Sequence, residues 1–288
     1  MGQTTNFGDL PEEYSALEQA RIVIIPVPYD RTSTWQKGSD KGPGAIIEAS
    51  AHMELYDIET DSEVYKKGIF TSKPLDGPKF PEDMIEMVAG QVRKYIDNDK
   101  FVVVVGGEHS VSLGPVKVHA EKNADITILQ LDAHSDLRDE YECSRYNHAC
   151  IMARIRELCP IVQAGIRSMD SSEKNLLDKN RAIFARDIFM NKNWTEKVLS
   201  KLTENVYLTI DLDVFDPSIM PSTGTPEPGG LLWYDVLRLL RIVIEKRNLV
   251  GFDIVELCPD ERNKAPDFLA ATLIYKLLSY KFGSHLAI

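Results

Sequence analysis

Cysteine is scarce in this chain of 288 residues, with four thiols at Cys143, Cys150, Cys159 and Cys258 and no Cys-x-x-Cys pair among them. That spacing offers neither a zinc ribbon nor a disulfide framework, so reduced thiols used mostly for packing are expected. No run of 18 apolar residues occurs, which removes the usual signature of a membrane-spanning helix. The opening stretch MGQTTNFGDLPEEYSALEQA is polar and acidic, without the basic and then apolar layout of a secretory leader, and a soluble cytoplasmic protein is expected. Basic residues are the minority, 33 Lys and Arg against 44 Asp and Glu for a net charge of -11, and they form no stripe to track phosphates. Nucleic acid is therefore not an expected partner. Linkers, internal repeats and low-complexity tracts are absent too, so one domain spanning residues 1–288 is the expectation.

What the chain does contain is an alternation of short Val- and Ile-rich runs with segments of helical periodicity. Strands are predicted at 21–27, 101–105, 126–132, 161–167, 182–185, 206–213 and 249–256, and helices at 83–98, 112–121, 148–158, 194–202, 234–247 and 266–282. Continuously apolar strands imply a parallel sheet covered by helices on both faces. Open parallel sheets place their sites beyond the C-terminal ends of the strands. Four predicted strands end there in reactive side chains: Glu108 and His109 in GGEHS; Asp132, His134 and Asp136 in DAHSD; Asp211, Asp213 and Asp216 in DLDVFDP; and Glu256 in DIVE.

In an extended strand every second side chain shares a face, so Asp132, His134 and Asp136 align if the strand continues through Asp136, and Asp211 and Asp213 form a second pair. A lone Asp at a strand end is ordinarily a cap or turn residue, and a lone His ordinarily a hydrogen-bonded one. His52, His119 and His285 have no nearby carboxylates and keep that plain reading. Six converging ligands are a different matter. The four carboxylates among His109, Asp132, His134, Asp136, Asp211 and Asp213 carry four negative charges, which two divalent cations would balance with both imidazoles neutral. Oxygen-rich ligation with some nitrogen and no thiolate favours manganese over zinc or copper, and leaves iron, cobalt and nickel open.

GGEHS, DAHSD, DLDVFDP, TGTPEPGG and DIVELCP, in this order and at these intervals, resemble the ureohydrolase family of arginases and agmatinases, and KGSDKGPGAIIEAS at 37–50 resembles that family's approach to its first helix. The resemblance implies a three-layer αβα sandwich with a central, mainly parallel sheet. It also implies two Mn2+ per chain, used to hydrolyse a guanidino group to urea and an amine. By motif position His109, Asp132, Asp136 and Asp211 would hold one ion, and Asp132, His134, Asp211 and Asp213 the other, with Asp132 and Asp211 bridging. Asp136 would steer the attacking water and Glu256 would pair with the guanidinium, where the competing reading is a surface glutamate. His148 would relay protons toward the departing amine. Thr225 would bond near the tetrahedral centre, with a turn-stabilising role as its competitor. The loop at 137–150 is similar to the agmatinase branch in RDEY and HAC. Its Asp139, Glu140 and Glu142, together with Glu227, suit a distal ammonium, while Arg138 and Arg145 leave a carboxylate possible. The resemblance favours agmatine, hydrolysed to putrescine and urea, with arginine, guanidinobutyrate, guanidinopropionate and formiminoglutamate as alternatives, and trimers or hexamers as the assembly. A member that has lost catalysis and serves as a regulatory or assembly subunit is the reading from a different class.

Overall fold

A computed structural model describes residues 6–283. Its strands are β1 (Ile22–Val27), β2 (Ile69–Thr71), β3 (Phe101–Gly106), β4 (Ile126–Leu131), β5 (Ile161–Ile166), β6 (Ala182–Phe184), β7 (Asn205–Asp211) and β8 (Asn248–Val255). They form one sheet in the order β2-β1-β3-β8-β7-β4-β5-β6, and the paired strands run parallel. The helices are α1 (Glu12–Ser15), α2 (Gly42–Ser50), α3 (Pro81–Ile96), α4 (Leu113–Lys122), α5 (Ile151–Ile155), α6 (Ala185–Met190), α7 (Trp194–Leu199), α8 (Trp233–Lys246) and α9 (Ala265–Phe282). Among the described residues no helix is long and apolar enough to cross a membrane.

The strands are apolar throughout because both faces are covered. Ile22 and Ile24 of β1 and Val103 and Val105 of β3 pack with Ile46 of α2, Leu240 of α8 and Leu273 of α9. The alternating Val23, Ile25, Val102 and Val104 pack with Met84 and Val88 of α3 on the opposite side. Three layers follow from this period of two. The covering helices have ordinary signals: α3 starts on Pro81 with Glu82 and Asp83 in its first turn and ends on Arg93 and Lys94, complementing the helix dipole.

All seven predicted strands are present. The short edge strand β2 was not predicted, nor were α1 and α6, since elements of three to six residues carry too little periodicity to read. The predicted helix at 148–158 is a single 3-10 turn, His148–Cys150, followed by the short α5. The extended run through Asp136 is also corrected. β4 stops at Leu131 and Asp136 lies in the left-handed region at φ 51°, while Asp213 sits in a 3-10 turn just beyond β7. A turn of the chain, and not strand alternation, gathers these ligands. His285 lies outside the described residues, His52 is exposed, and His119 is buried against the Tyr207 ring, burial pushing its pKa down to about 3.

Candidate metal centre

The four strands that end in reactive side chains, β3, β8, β7 and β4, are neighbours at the middle of the sheet, so their C-terminal ends open into one place. Two groups there have the spacing to hold metal ions: His109, Asp132 and Asp211, and Asp132, His134 and Asp213, with Asp132 common to both. His109 Nδ1 lies 3.2 Å from Asp132, 3.0 Å from Asp136 and 3.5 Å from Asp211. His134 Nδ1 lies 2.8 Å from Asp213 and 3.8 Å from Asp132. All six predicted ligands are thus brought together.

The donor set fits cations, and the clearest sign is the His109 ring. Thr209 Oγ1 donates to Asp253 (2.7 Å) and so accepts from His109 Nε2–H (2.9 Å). That direction leaves Nδ1, buried and without a hydrogen-bond partner, as a lone pair aimed at carboxylate oxygens. Lone pairs facing one another in a dry site need a positive charge between them. Without an ion, protons take that place. Burial lowers the His109 pKa, but Asp132 and Asp136 outweigh it and raise the ring well above its ordinary value. The same contest carries His134 to about 10, with Asp213 as its main partner. Burial and then Asp136 and Asp213 push Asp132 up to about 7, and burial with Asp213 pushes Asp211 far up. Burial also opposes ionisation of Asp213, yet the His134 imidazole and the Ala133 N–H hold it down at about 2.

Glu256 stands beside this cluster at φ 68°, a strained conformation for a glutamate. It is fixed there by its N–H donating to Gly107 O (2.7 Å) and its Oε1 accepting from His109 N (2.7 Å). Burial and the nearby Glu108 carboxylate raise its pKa well above the usual range, so the position favours a cation brought from outside.

Several supporting residues were missed by the sequence reading or left without a role. The wholly buried Asp253 accepts from Ser112 (2.9 Å), Thr209 and Tyr207 (2.8 Å) and thereby fixes the His109 tautomer. Gln130, itself a strand residue, donates to Asp132 (2.6 Å). Buried Glu173 accepts from Ser135 Oγ, Leu137 N and Asp170 N, tying the DAHSD turn to the next loop. The Arg167 guanidinium gathers the carbonyls of Asp213, Val214, Phe215 and Glu227. Glu108 faces the loop after β1, accepting from Arg31 N and from Thr32 N and Oγ1. Gly107 allows that approach, since a Cβ there would lie 2.1 Å from Tyr29 O. Because Thr32 Oγ1 donates to Glu108, it accepts from His148 N (2.9 Å) and Nδ1 (3.1 Å), which leaves His148 Nε2 as its basic nitrogen. A single-sequence signal existed for Glu108, in GGEHS, and for Asp253, which opens DIVELCP; the others are polar residues inside apolar runs or distant loops.

A cavity of about 310 Å³ opens over the cluster, and His109, His134, Asp136, His148, Asp211, Asp213, Thr225 and Glu256 all line it. A match to the Arginase family extends over residues 20–279. The chain belongs to the arginase family. It is 39% identical to an N(1)-aminopropylagmatine ureohydrolase of Synechocystis over 93% of this chain and 92% of that protein. It is 32% identical to an agmatinase of Pyrococcus horikoshii over 91% and 92%. The agmatine ureohydrolase of Thermoplasma volcanium superposes with a TM-score of 0.84 at 32% identity, covering 92% of this chain and 90% of that one. The fold of this arginase-family chain is therefore the expected α/β one, and its sheet of eight strands is parallel throughout the described pairings.

The wall of the arginase-family cavity departs from the sequence reading. Asp139 does not line the cavity but pairs with Arg145 (3.0 Å) and Arg154 (2.6 Å), and Glu140 and Glu142 also lie outside the lining. Arg138 does line it, stacked 4.3 Å over the Tyr141 ring. Glu227 reaches to 3.8 Å from His134 Nε2. The exposed Trp35, Gln36, Met169 and Asp170 line the cavity instead. The four cysteines are free thiols, two of them buried.

Proposed function

We propose that the protein hydrolyses the terminal guanidino group of agmatine, releasing urea and putrescine, with two manganese ions as cofactor. The observation that carries the guanidino chemistry is Glu256, a buried carboxylate of raised pKa beside the two ligand clusters and on the wall of the same cavity. In this reading His109, Asp132, Asp136 and Asp211 would hold one ion and Asp132, His134, Asp211 and Asp213 the other. Two divalent ions bound there would supply the Lewis acidity that makes water nucleophilic near neutral pH. Glu256 receives the guanidinium through charge-assisted hydrogen bonds and fixes its planar carbon over the clusters. Asp136 orients the attacking water through its carboxylate. His148, neutral by burial and with Nε2 basic, takes a proton and returns it to the departing amine nitrogen. Thr225, on the same wall, hydrogen-bonds to the nitrogen or oxygen groups around the tetrahedral intermediate.

A second reading has a specific basis: the Synechocystis relative is named for N(1)-aminopropylagmatine, which carries the same guanidino group on a longer amine. The test is urea release by the manganese-supplied protein from agmatine, N(1)-aminopropylagmatine, arginine and guanidinobutyrate, each at low concentration. Agmatine or its aminopropyl derivative should turn over fastest. Urea from none of them would leave a metal-holding regulatory subunit as the account of the site. A trimer or hexamer is part of the proposal, and sedimentation velocity decides it.

A further inference from the structure

We propose that Trp35 is a specificity-determining residue, its indole face receiving the distal ammonium of the substrate and extending the site to amines longer than agmatine. The inference rests on the guanidino-amine reading above and adds the recognition element that reading lacks. Of the loop carboxylates expected to attract the ammonium, Asp139 pairs with Arg145 and Arg154, and Glu140 and Glu142 lie outside the cavity lining, which points to another wall for the attraction.

Trp35 is 80% exposed yet lines the cavity, whereas Trp194 is 3% exposed and serves the core. What marks Trp35 is its place on the cavity wall, where an exposed indole offers a large electron-rich face to a cation. The segment that carries it is firmly held. Asp30 accepts from Ser33 Oγ, Lys37 Nζ (3.2 Å) and Gly38 N (2.7 Å), and Glu108 accepts from Arg31, Thr32 and Ser33. The ring is therefore carried on a fixed arm that is anchored through Glu108 to the GGEHS turn at the cavity floor.

The chemistry of the rim suits a cation. Tyr141 already holds the Arg138 guanidinium against its face at 4.3 Å, and Trp offers a stronger face than Tyr. Asp170 lines the same cavity, and the bonds it accepts from Ser172 N and Oγ both fall on Oδ1. With Glu256 holding the guanidinium at the floor and Trp35 at the rim, the two cationic ends of a linear amine meet an anion and a π face. An aminopropyl extension adds a second ammonium at the rim end, where the Asp170 carboxylate supplies negative charge beside the electron-rich face of the neutral indole.

The experiment compares wild type, Trp35→Ala and Trp35→Phe, all manganese-supplied, on agmatine, N(1)-aminopropylagmatine and 1-butylguanidine, which has the guanidino group and chain but no distal charge. Trp35→Ala should lose on the order of tenfold in kcat/KM on both amines, mainly through KM, with little change on butylguanidine. Trp35→Phe should recover part of that loss, and metal content should stay at the wild-type value in both variants. Independently of turnover, spermidine should change the tryptophan fluorescence of wild type saturably and more tightly than putrescine, and that signal should vanish in Trp35→Phe. Equal losses on butylguanidine would overturn the proposal, because Trp35 would then only pack the chain. A variant that alters sedimentation while leaving the amine KM values unchanged would also overturn it, making Trp35 an interface residue between copies. Absence of urea from wild type, with the spermidine signal intact, would refute the hydrolytic reading and leave Trp35 as an amine site.

Discussion

The floor and the rim of one cavity are built in different ways. At the floor, His109, Asp132, Asp211 and Asp213 are almost wholly buried and each is hydrogen-bonded, His109 to Thr209 and Asp213 to the Ala133 N–H across neighbouring strand ends, Asp132 to Gln130 and Asp211 to the Asp213 N–H within their own segments. At the rim, Trp35, Asp170 and Arg138 are exposed or half-exposed and sit on loops. The floor carries charge that only cations can satisfy, so each of its residues is constrained by several others. The rim carries more exposed side chains with only local partners, Arg138 on the Tyr141 ring and Asp170 on Ser172, so replacing one should disturb the fold little. On the proposed reading, reaction and selectivity would fall to separate layers of structure.

The contrast breaks first, and most severely, at Asp132. It is shared by both ligand groups, so Asp132→Ala should abolish urea release and leave fewer than two metals per chain by elemental analysis. Full metal occupancy with near-normal turnover would dismantle the centre as described. Glu256→Gln is next. It removes charge but keeps shape, and breaking a buried charge pair of this kind costs about 3–5 kcal/mol, on the order of a hundredfold or more in kcat/KM. Metal content should not change, and a loss under about threefold would put Glu256 outside the site.

Asp253→Asn probes the layer beneath the floor. Thr209 would no longer be committed to donating to a carboxylate, and the His109 tautomer would be released. A loss of about 10–100-fold in metal affinity is expected, measured by chelator competition, with circular dichroism to show the fold retained. An unchanged affinity would reduce Asp253 to a packing role.

Metal uptake should also depend on pH, with a sign set by the proton-loaded state. His134, raised to about 10, and Asp132, raised to about 7, bind protons where an ion would bind, and ions must displace them. Affinity should therefore rise with pH, more steeply below about 7, where the ions displace both protons, and by roughly tenfold per unit between about 7 and 10, where the His134 proton remains, a release that calorimetry in buffers of different ionisation enthalpy will count. The smallest effect sharpens the comparison at its outer edge. Arg145 makes exposed ion pairs to Asp139 and Glu157, and Arg145→Ala should alter stability by no more than about 0.5 kcal/mol and leave kcat/KM unchanged for every guanidine.

Legibility follows the same division. The central strands and all six proposed ligands are readable from the chain because a buried parallel strand must be continuously apolar, and a cluster of carboxylates after such strands has few other uses. The reading failed where local pattern carries no information. Asp132, His134 and Asp136 were expected to converge by strand alternation, yet β4 ends at Leu131 and a left-handed Asp136 turns the chain. The acidic loop residues looked suited to an ammonium, but Arg154, only 7% exposed in its side chain, draws Asp139 away. No periodicity reports an ion pair between residues 15 positions apart around a turn.

The sequence by itself determined the layered architecture, the strands that end in ligands and the excess of negative charge that calls for cations. These depend on side-chain chemistry and on a spacing of two or three residues, which the chain carries in one dimension. Only the tertiary structure decided which nitrogen of His109 is free, that Glu108 anchors the loop bearing Trp35, and that Asp139 is turned from the cavity. Each of those depends on the direction of a hydrogen bond or ion pair between segments brought together by folding. Asp253 and His109 are 144 positions apart, and their connection through Thr209 exists only once β3, β7 and β8 lie side by side.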